Sequence, residues 1–267
     1  MMPRVAAIQM NSGDDVEHNL RSTEELVTEA KRQSAVIAVL PECFSLMAPN
    51  HQCRLSAAEP AEGGGTVWTF LSDLARREKI WILAAGIFTQ CENTRKVRNT
   101  SWLFDHCGES IARYDKINLF DIELPDGERY SESSYTVAGS EIVAEQTPAG
   151  VAGITVCYDL RFPALYEKLT AKDAIWFAIP SAFAYTTGCR HWEVLLRARA
   201  IENHAYVVAP AQWGRHPGGR TTYGHTMIVD PWGEILAQQG RDDGVITADL
   251  DAGRVNEIRK RFSEVEQ

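Results

Sequence analysis

The sequence is short of several things that would fix its class at once. Its six cysteines, at positions 43, 53, 91, 107, 157 and 189, form no C-x-x-C pair and follow no regular spacing. A paired-cysteine zinc site is therefore not expected, and a disulfide framework is improbable in a chain of this size. No stretch approaches the roughly 18 consecutive apolar residues of a membrane-spanning helix. Met1-Met2-Pro3-Arg4-Val5 runs straight into an apolar stretch with no cleavage-site pattern, so no targeting segment is expected. A reducing cytoplasm fits these absences, and it leaves a cysteine free for catalysis. Positive charge is scarce too: 27 Lys and Arg stand against 36 Asp and Glu, a formal net charge of −9. Such a chain has no electrostatic attraction for a phosphate backbone, so nucleic acid is not the expected partner. The one basic run, Arg259-Lys260-Arg261, is short and reads as a solvated helix end.

What the chain does have is core-forming material. Hydrophobic residues make up 45% of its 267 positions, and no linker, repeat or low-complexity segment divides it, so one domain spanning 1–267 is expected. Apolar runs predict strands at 5–10, 35–40, 80–88, 99–104, 110–114, 151–156, 174–179, 206–212, 226–229, 234–237 and 245–250, with another near Ile142. Helical periodicity places Val16, Leu20, Leu26, Val27 and Ala30 on one face after Asp14 and Asp15. It does the same for Val67, Phe70, Leu71 and Leu74 after the break at Gly63-Gly64-Gly65. Further helices are expected from Pro163, tolerated in a first turn, and over 191–202, with Trp192, Leu195 and Leu196 inward. The stretch 121–139 is polar and aperiodic and reads as a long loop, a length that is often functional. Strands throughout, with helices between them, suggest two sheets with outer helices.

Three of the predicted strands end in reactive side chains. Val39-Leu40-Pro41 delivers Glu42, Ile111-Ala112-Arg113-Tyr114-Asp115 delivers Lys116, and Gly153-Ile154-Thr155-Val156 delivers Cys157. Ends of neighbouring strands are common places for active sites. Glu42 can take the thiol proton and return it to a leaving amine. Lys116 can favour the thiolate and stabilise an oxyanion, with the Tyr158 N–H as a second donor. Spacing alone leaves the plainer alternatives open: a core cysteine, and a Glu and a Lys on a solvated rim.

The surrounding residues narrow the choice. Leu40-Pro41-Glu42, Tyr114-Asp115-Lys116-Ile117 and Val156-Cys157-Tyr158-Asp159-Leu160-Arg161-Phe162-Pro163 resemble, in order and separation, the three signature blocks of the nitrilase superfamily of carbon–nitrogen hydrolases. The resemblance extends from Val5 to about Leu250. It implies an α/β fold in the form of a four-layer α-β-β-α sandwich, a Glu42–Lys116–Cys157 triad, thiol catalysis without metal or cofactor, and pairing of subunits through outer helices as a homodimer or higher oligomer. It also implies a second glutamate after the lysine. Glu132, followed by Gly139, matches that position, with Glu123 and then Glu128 as competitors; the alternative is that all three only solvate a loop.

The C-terminal half resembles the Nit-type amidases, in particular the deaminated glutathione amidases, through Pro180-Ser181-Ala182-Phe183, Thr187-Gly188-Cys189-Arg190-His191-Trp192-Glu193 and Val229-Asp230-Pro231-Trp232-Gly233. Amide hydrolysis in a small metabolite follows from this resemblance. ω-Amidase activity on 2-oxo acid amides, N-carbamoyl hydrolysis, nitrile hydrolysis, and a dormant binding protein on the same fold are the alternatives. Tyr158, Arg161, Phe183, Thr187 and His191 are the candidate substrate-binding residues. Arg161 can grip a substrate carboxylate with both arms of its guanidinium, or it can simply pair with Asp159 or Glu202. His225 is expected to be structural, and Cys43 and Cys189 receive no catalytic role. Asn118 stands where this branch often has His.

Overall fold

A computed structural model describes residues 2–92, 94–123, 127 and 129–263. In chain order the elements are β1 (Arg4–Gln9), α1 (Val16–Arg32), β2 (Ile37–Val39), α2 (His51–Ser56), α3 (Thr66–Glu78), β3 (Trp81–Gln90), β4 (Val97–Phe104) and β5 (Ser110–Asp115). A small hairpin follows, β6 (Asp121–Glu123) and β7 (Arg129–Ser131), and then β8 (Ala144–Thr147), β9 (Gly150–Ile154), α4 (Pro163–Thr170), β10 (Trp176–Ala178), α5 (Tyr185–Asn203) and β11 (Tyr206–Ala209). The chain continues through β12 (Trp213–Arg215), β13 (Thr221–Tyr223), β14 (Met227–Val229), β15 (Ile235–Gln238), β16 (Gly244–Asp249) and α6 (Ala252–Ser263).

Two six-stranded sheets form, ordered β16-β1-β2-β3-β4-β5 and β15-β14-β11-β10-β9-β8. At the centre of each lie three parallel strands, β1-β2-β3 in one and β9-β10-β11 in the other. Parallel neighbours need a crossover. Helices α1 and α3 supply the two crossovers of the first sheet, and α4 and α5 those of the second. Alternation along the strands sorts the side chains into layers. Ala6, Ile8, Ala38 and Ile82 face α1 and α3 through Leu20, Val27, Leu71 and Leu74. Val5, Ala7, Val39 and Leu83 face the other way, into one continuous core with Ile154, Phe177 and Val208 of the second sheet and Trp192 and Leu196 of α5. The result is the four-layer α-β-β-α sandwich, with the three catalytic candidates at the edge of the inter-sheet core.

Some elements depart from the sequence reading. Helix α5 begins at Tyr185 rather than 191. Gly188 hid its first turns, yet that glycine is a packing requirement: a Cβ there would lie 2.3 Å from the Cβ of Tyr223. Helix α2 buries none of its residues and so carries no stripe to detect. The loop 121–139 holds the β6–β7 hairpin and a 3-10 turn at Glu132–Ser134, pieces too short to show a period. Among the described residues no helix is long and apolar enough to cross a membrane.

Candidate active site

Pro41 ends the β2 run, and the next two residues turn across β3. Cys43 has φ +60° and its N–H donates to Ala85 O at 3.2 Å. The turn fits because β3 bulges between Ala84 and Ile87, where Gly86 has φ +77° and no side chain. Glu42 is thereby driven into the interior, 3% exposed. Lys116 follows β5 and is anchored through its backbone: its N–H donates to Asn99 O (2.9 Å) and its carbonyl accepts from Gly139 N (2.9 Å). Cys157 sits on a tight elbow after β9, with φ +49° and its N–H donated to Pro180 O at 2.9 Å. A non-glycine residue in this region costs about 1–3 kcal/mol and persists only where its surroundings enforce it.

Asp159 is the enforcing residue. Its buried carboxylate accepts from Val156 N (2.9 Å) and Tyr114 OH (2.7 Å) on one oxygen. On the other it accepts from Asn118 N (2.9 Å) and Asn118 Nδ2 (2.8 Å). Asn118 thus uses both its donors to tie the Lys116 segment to the elbow. Whether the three strands are neighbours was left open by the sequence; they are not, since β3 and β4 separate β2 from β5, and Cys157 comes from the opposing sheet. Packing of sheet on sheet assembles the site.

Its polar contacts are dense. Lys116 Nζ donates to Glu132 Oε2 at 2.7 Å and Glu42 Oε1 at 3.3 Å. Glu42 Oε1 also accepts from Asn99 Nδ2 (2.9 Å), and Oε2 from Ala182 N (2.9 Å). Glu132 accepts from Phe120 N (2.7 Å) and from the same Asn99 Nδ2 (3.2 Å). Glu42 and the Cys157 thiol line the same cavity, close enough for each to act on the other's charge. Burial works against the ammonium of Lys116, but the carboxylates of Glu132 and Glu42 outweigh it and hold its pKa well above the usual lysine value. Burial likewise pushes Glu42 up, and Lys116 and Arg220 overcome it, leaving the carboxyl below its ordinary value. The Cys157 thiol is pushed up by burial and then by Glu42. These directions favour a carboxylate, an ammonium and a neutral thiol at rest. Lys116 pulls the thiol the other way, toward the thiolate, as the sequence reading expected of it, but burial and Glu42 outweigh it.

Cys157 lines two small cavities. One, of about 40 Å³, also touches Glu42, Lys116, Glu132, Asn99, Arg54, Phe120, Tyr130 and Arg220. The other, of about 10 Å³, is bounded by Phe120, Tyr158, Ala182, Phe183, Ala184 and Thr187. Phe120 borders both, tilted against Tyr130 at 4.7 Å and edge-on at 5.1 Å to Tyr158. Of the residues singled out in the sequence, Glu42, Lys116, Cys157 and Glu132 meet at the first cavity, and Tyr158, Phe183 and Thr187 line the second. Arg161 and His191 border neither; they bond to each other (Nη2 to Nδ1, 3.3 Å), with the guanidinium 5.1 Å over the Phe183 ring. Neither carboxylate proposed as its partner takes Arg161: Glu202 pairs with Arg199 at 2.5 Å, and Asp159 is occupied as described. Glu123 forms an exposed ion pair with Arg129 (2.9 Å), and Glu128 lies outside the described residues. His225 stacks on Tyr223 at 4.0 Å. Buried Cys43 lines the first cavity with its thiol pushed up to about 12, by burial first and Glu42 second, while Cys189 is exposed. Sequence reasoning missed Asn99, Arg54 and Arg220. An asparagine within a strand, an arginine on the short helix α2 and another in a loop carry no local signal of a shared destination.

Comparison with known proteins gives the class of this fold and cluster. A sequence model of the carbon-nitrogen hydrolase family matches residues 4–260, and the chain belongs to that family as an enzyme of amidase type. It is 40% identical to the deaminated glutathione amidase of Synechocystis sp. over 264 residues, covering 98% of this chain and 96% of that protein. It is also 40% identical to the rat (Rattus norvegicus) deaminated glutathione amidase, over 98% of this chain and 80% of the relative. Among solved structures, the C. elegans NitFhit protein superposes with a TM-score of 0.92 at 34% identity, over 100% of this chain and 66% of that longer one. An amidase from Nesterenkonia sp., solved with acrylamide added to its active-site cysteine, gives 0.81 at 25% identity, over 99% of this chain and 100% of that one.

Proposed function

We propose that the protein hydrolyses an amide of a small metabolite through an acyl-enzyme on Cys157, and that its substrate is deaminated glutathione or a close chemical relative. In the first half-reaction the Cys157 sulfur attacks the amide carbon while its proton passes to Glu42. Lys116 and the Tyr158 N–H hold the oxyanion. Collapse breaks the carbon–nitrogen bond, and Glu42 returns the proton to the departing amine. Water, deprotonated by Glu42, then attacks the thioester; the acid leaves and the thiol is restored. Glu132 has no proton to move in this scheme. It keeps Lys116 charged and aimed.

The observation that carries the reading is the Lys116 ammonium shared between Glu42 at 3.3 Å and Glu132 at 2.7 Å, with Cys157 on the wall of the same cavity. The substrate assignment rests on the 40% identity to deaminated glutathione amidases over nearly the whole chain. Phe183 and Thr187 border the second cavity beside Cys157 and form the floor of that arm. Arg161, whose Nε is buried without a partner, stands behind Phe183 with His191 as the candidate carboxylate grip there. Val194, Ile201, Trp232 and Phe262 are exposed apolar residues on and beside α5 and α6. They support self-association through these outer helices, and a cytoplasmic setting suits a buried reactive thiol.

Intact-mass spectrometry after mixing with deaminated glutathione tests the chemistry. An acyl adduct is expected on the wild type and none on Cys157→Ala. Normal turnover by both Cys157→Ala and Lys116→Ala would refute the mechanism. Side-by-side rates on deaminated glutathione, 2-oxoglutaramate, an N-carbamoyl amine and a nitrile test the substrate class, and preference for either of the last two overturns it.

A further inference from the structure

The cavity that holds Cys157, Glu42, Lys116 and Glu132 has two more cations on its wall, Arg54 from α2 and Arg220 from the segment before β13. Lys116 forms ion pairs with both glutamates; Arg220 acts on Glu42 only at longer range, and Arg54 pairs with neither. Arg54 donates to Ala48 O at 3.2 Å and lies 4.3 Å over the Tyr135 ring. Arg220 donates to Ala182 O and lies 5.4 Å over the Tyr130 ring. Each guanidinium is held by one carbonyl and by aromatic faces, Arg54 also lying 5.9 Å from the Phe88 ring, and among the described residues neither is in an ion pair. The Nε of Arg220 is buried without any partner. The wall thus carries three cations (Arg54, Lys116, Arg220) against two carboxylates (Glu42, Glu132), a formal excess of one positive charge.

Such a charge on the wall of a narrow, largely buried cavity is costly unless an anion completes it. A guanidinium held at one edge keeps its other edge for a two-point grip on a carboxylate. We propose that Arg54 and Arg220 form a carboxylate subsite on the Glu42 side of Cys157, making the enzyme selective for amides that carry a carboxylate. This deepens the proposed function and rests on it. It assigns a second arm to the site, distinct from the one bounded by Phe183 and backed by Arg161. A cavity of about 40 Å³ holds little more than water, so a substrate must displace its aromatic wall, of which Phe120 and Tyr130 are the parts bordering the hairpin.

The test compares glutaramate with glutaramide, near-isosteric amides that differ in one carboxylate. Wild type is expected to favour glutaramate by about 100-fold in kcat/KM. Arg54→Met and Arg220→Met should each reduce that ratio at least tenfold, mainly through the KM for glutaramate. Binding is read separately from chemistry with glutarate as the probe. Glutarate should raise the melting temperature of Cys157→Ala but not of Cys157→Ala carrying Arg54→Met. If the wild type cleaves neither amide, the glutarate measurement still decides the subsite, so failure of the proposed activity is distinguishable from failure of this inference. An unchanged ratio in both arginine variants overturns the proposal. So does glutarate stabilisation that survives Arg54→Met and Arg220→Met but is lost in Arg161→Met.

Discussion

Gly86→Ala is the substitution whose consequence can be worked most directly from the structure. A Cβ at position 86 would lie 2.0 Å from Cys43 N and 2.9 Å from both Cys43 Cα and Glu42 C, all backbone atoms that no rotamer can move aside. Restoring ordinary contact at about 3.4 Å means shifting the Glu42–Cys43 turn by roughly 1.4 Å. That breaks the Cys43 N–Ala85 O hydrogen bond, a loss of about 1 kcal/mol. Alanine at φ +77° adds about 1–2 kcal/mol of backbone strain. A destabilisation of about 2–3 kcal/mol is therefore expected in urea unfolding. The catalytic effect should be larger, because the shift is applied to the base: a misplacement of about 1 Å can cost about 10² in rate. With deaminated glutathione, kcat/KM should fall about 100-fold, and acyl-enzyme formation in intact-mass time courses should slow with it. Gly64→Ala is the control. Its φ is +84° but nothing lies within 4 Å of its would-be Cβ, so it should show the strain alone, with wild-type turnover. If Gly86→Ala kept wild-type stability and turnover, the claim that the β3 bulge seats Glu42 would be wrong.

Two further outcomes follow from the electrostatics. Glu132→Gln removes a carboxylate that accepts from Lys116 and Phe120 on one oxygen and from Asn99 on the other, and an amide in its place must set a donor against a donor. We expect a loss of about 2–4 kcal/mol in stability and about 10²–10³ in kcat; retention of kcat within threefold would remove Glu132 from the site. His216 is buried, with Nδ1 bonded to Ser12 O (2.9 Å) and Nε2 to Thr222 Oγ1 (2.6 Å), and its pKa is held down to about 4, by burial first. Since the unfolded chain takes up this proton near pH 6.5 and the folded one only near 4, stability should fall as pH drops through that window, by about 3 kcal/mol at most. His216→Asn should flatten the decline in urea titrations at pH 7 and pH 4.5, and an equal slope in both proteins would count against it.

How much of this was legible in the residues depends on the range of the interaction involved. Hydrophobic alternation in β1, β3 and β11, the stripes of α1 and α3, and the start of α4 at Pro163 are local properties of the chain, and the sequence alone determined them. The three motif blocks likewise marked Glu42, Lys116 and Cys157, because each residue is written next to the strand that ends on it. Glu132 was ranked ahead of Glu123 by its place in the pattern. Only the fold puts its carboxylate on Lys116 while Glu123 pairs with Arg129 at the surface.

What only the tertiary structure decided are the relations between distant segments. Which sheet each catalytic strand joins, and that Cys157 faces Glu42 and Lys116 across two sheets, depend on packing that leaves no local period. The same holds for Asn99 bridging two glutamates, for Asp159 clamping the elbow to the Lys116 segment, and for Arg54 and Arg220 reaching one cavity from positions 166 residues apart. Side-chain type and neighbouring residues set secondary structure and the chemistry on offer. Burial, register and charge balance, which exist only once the sheets have closed on each other, set which of those side chains meet.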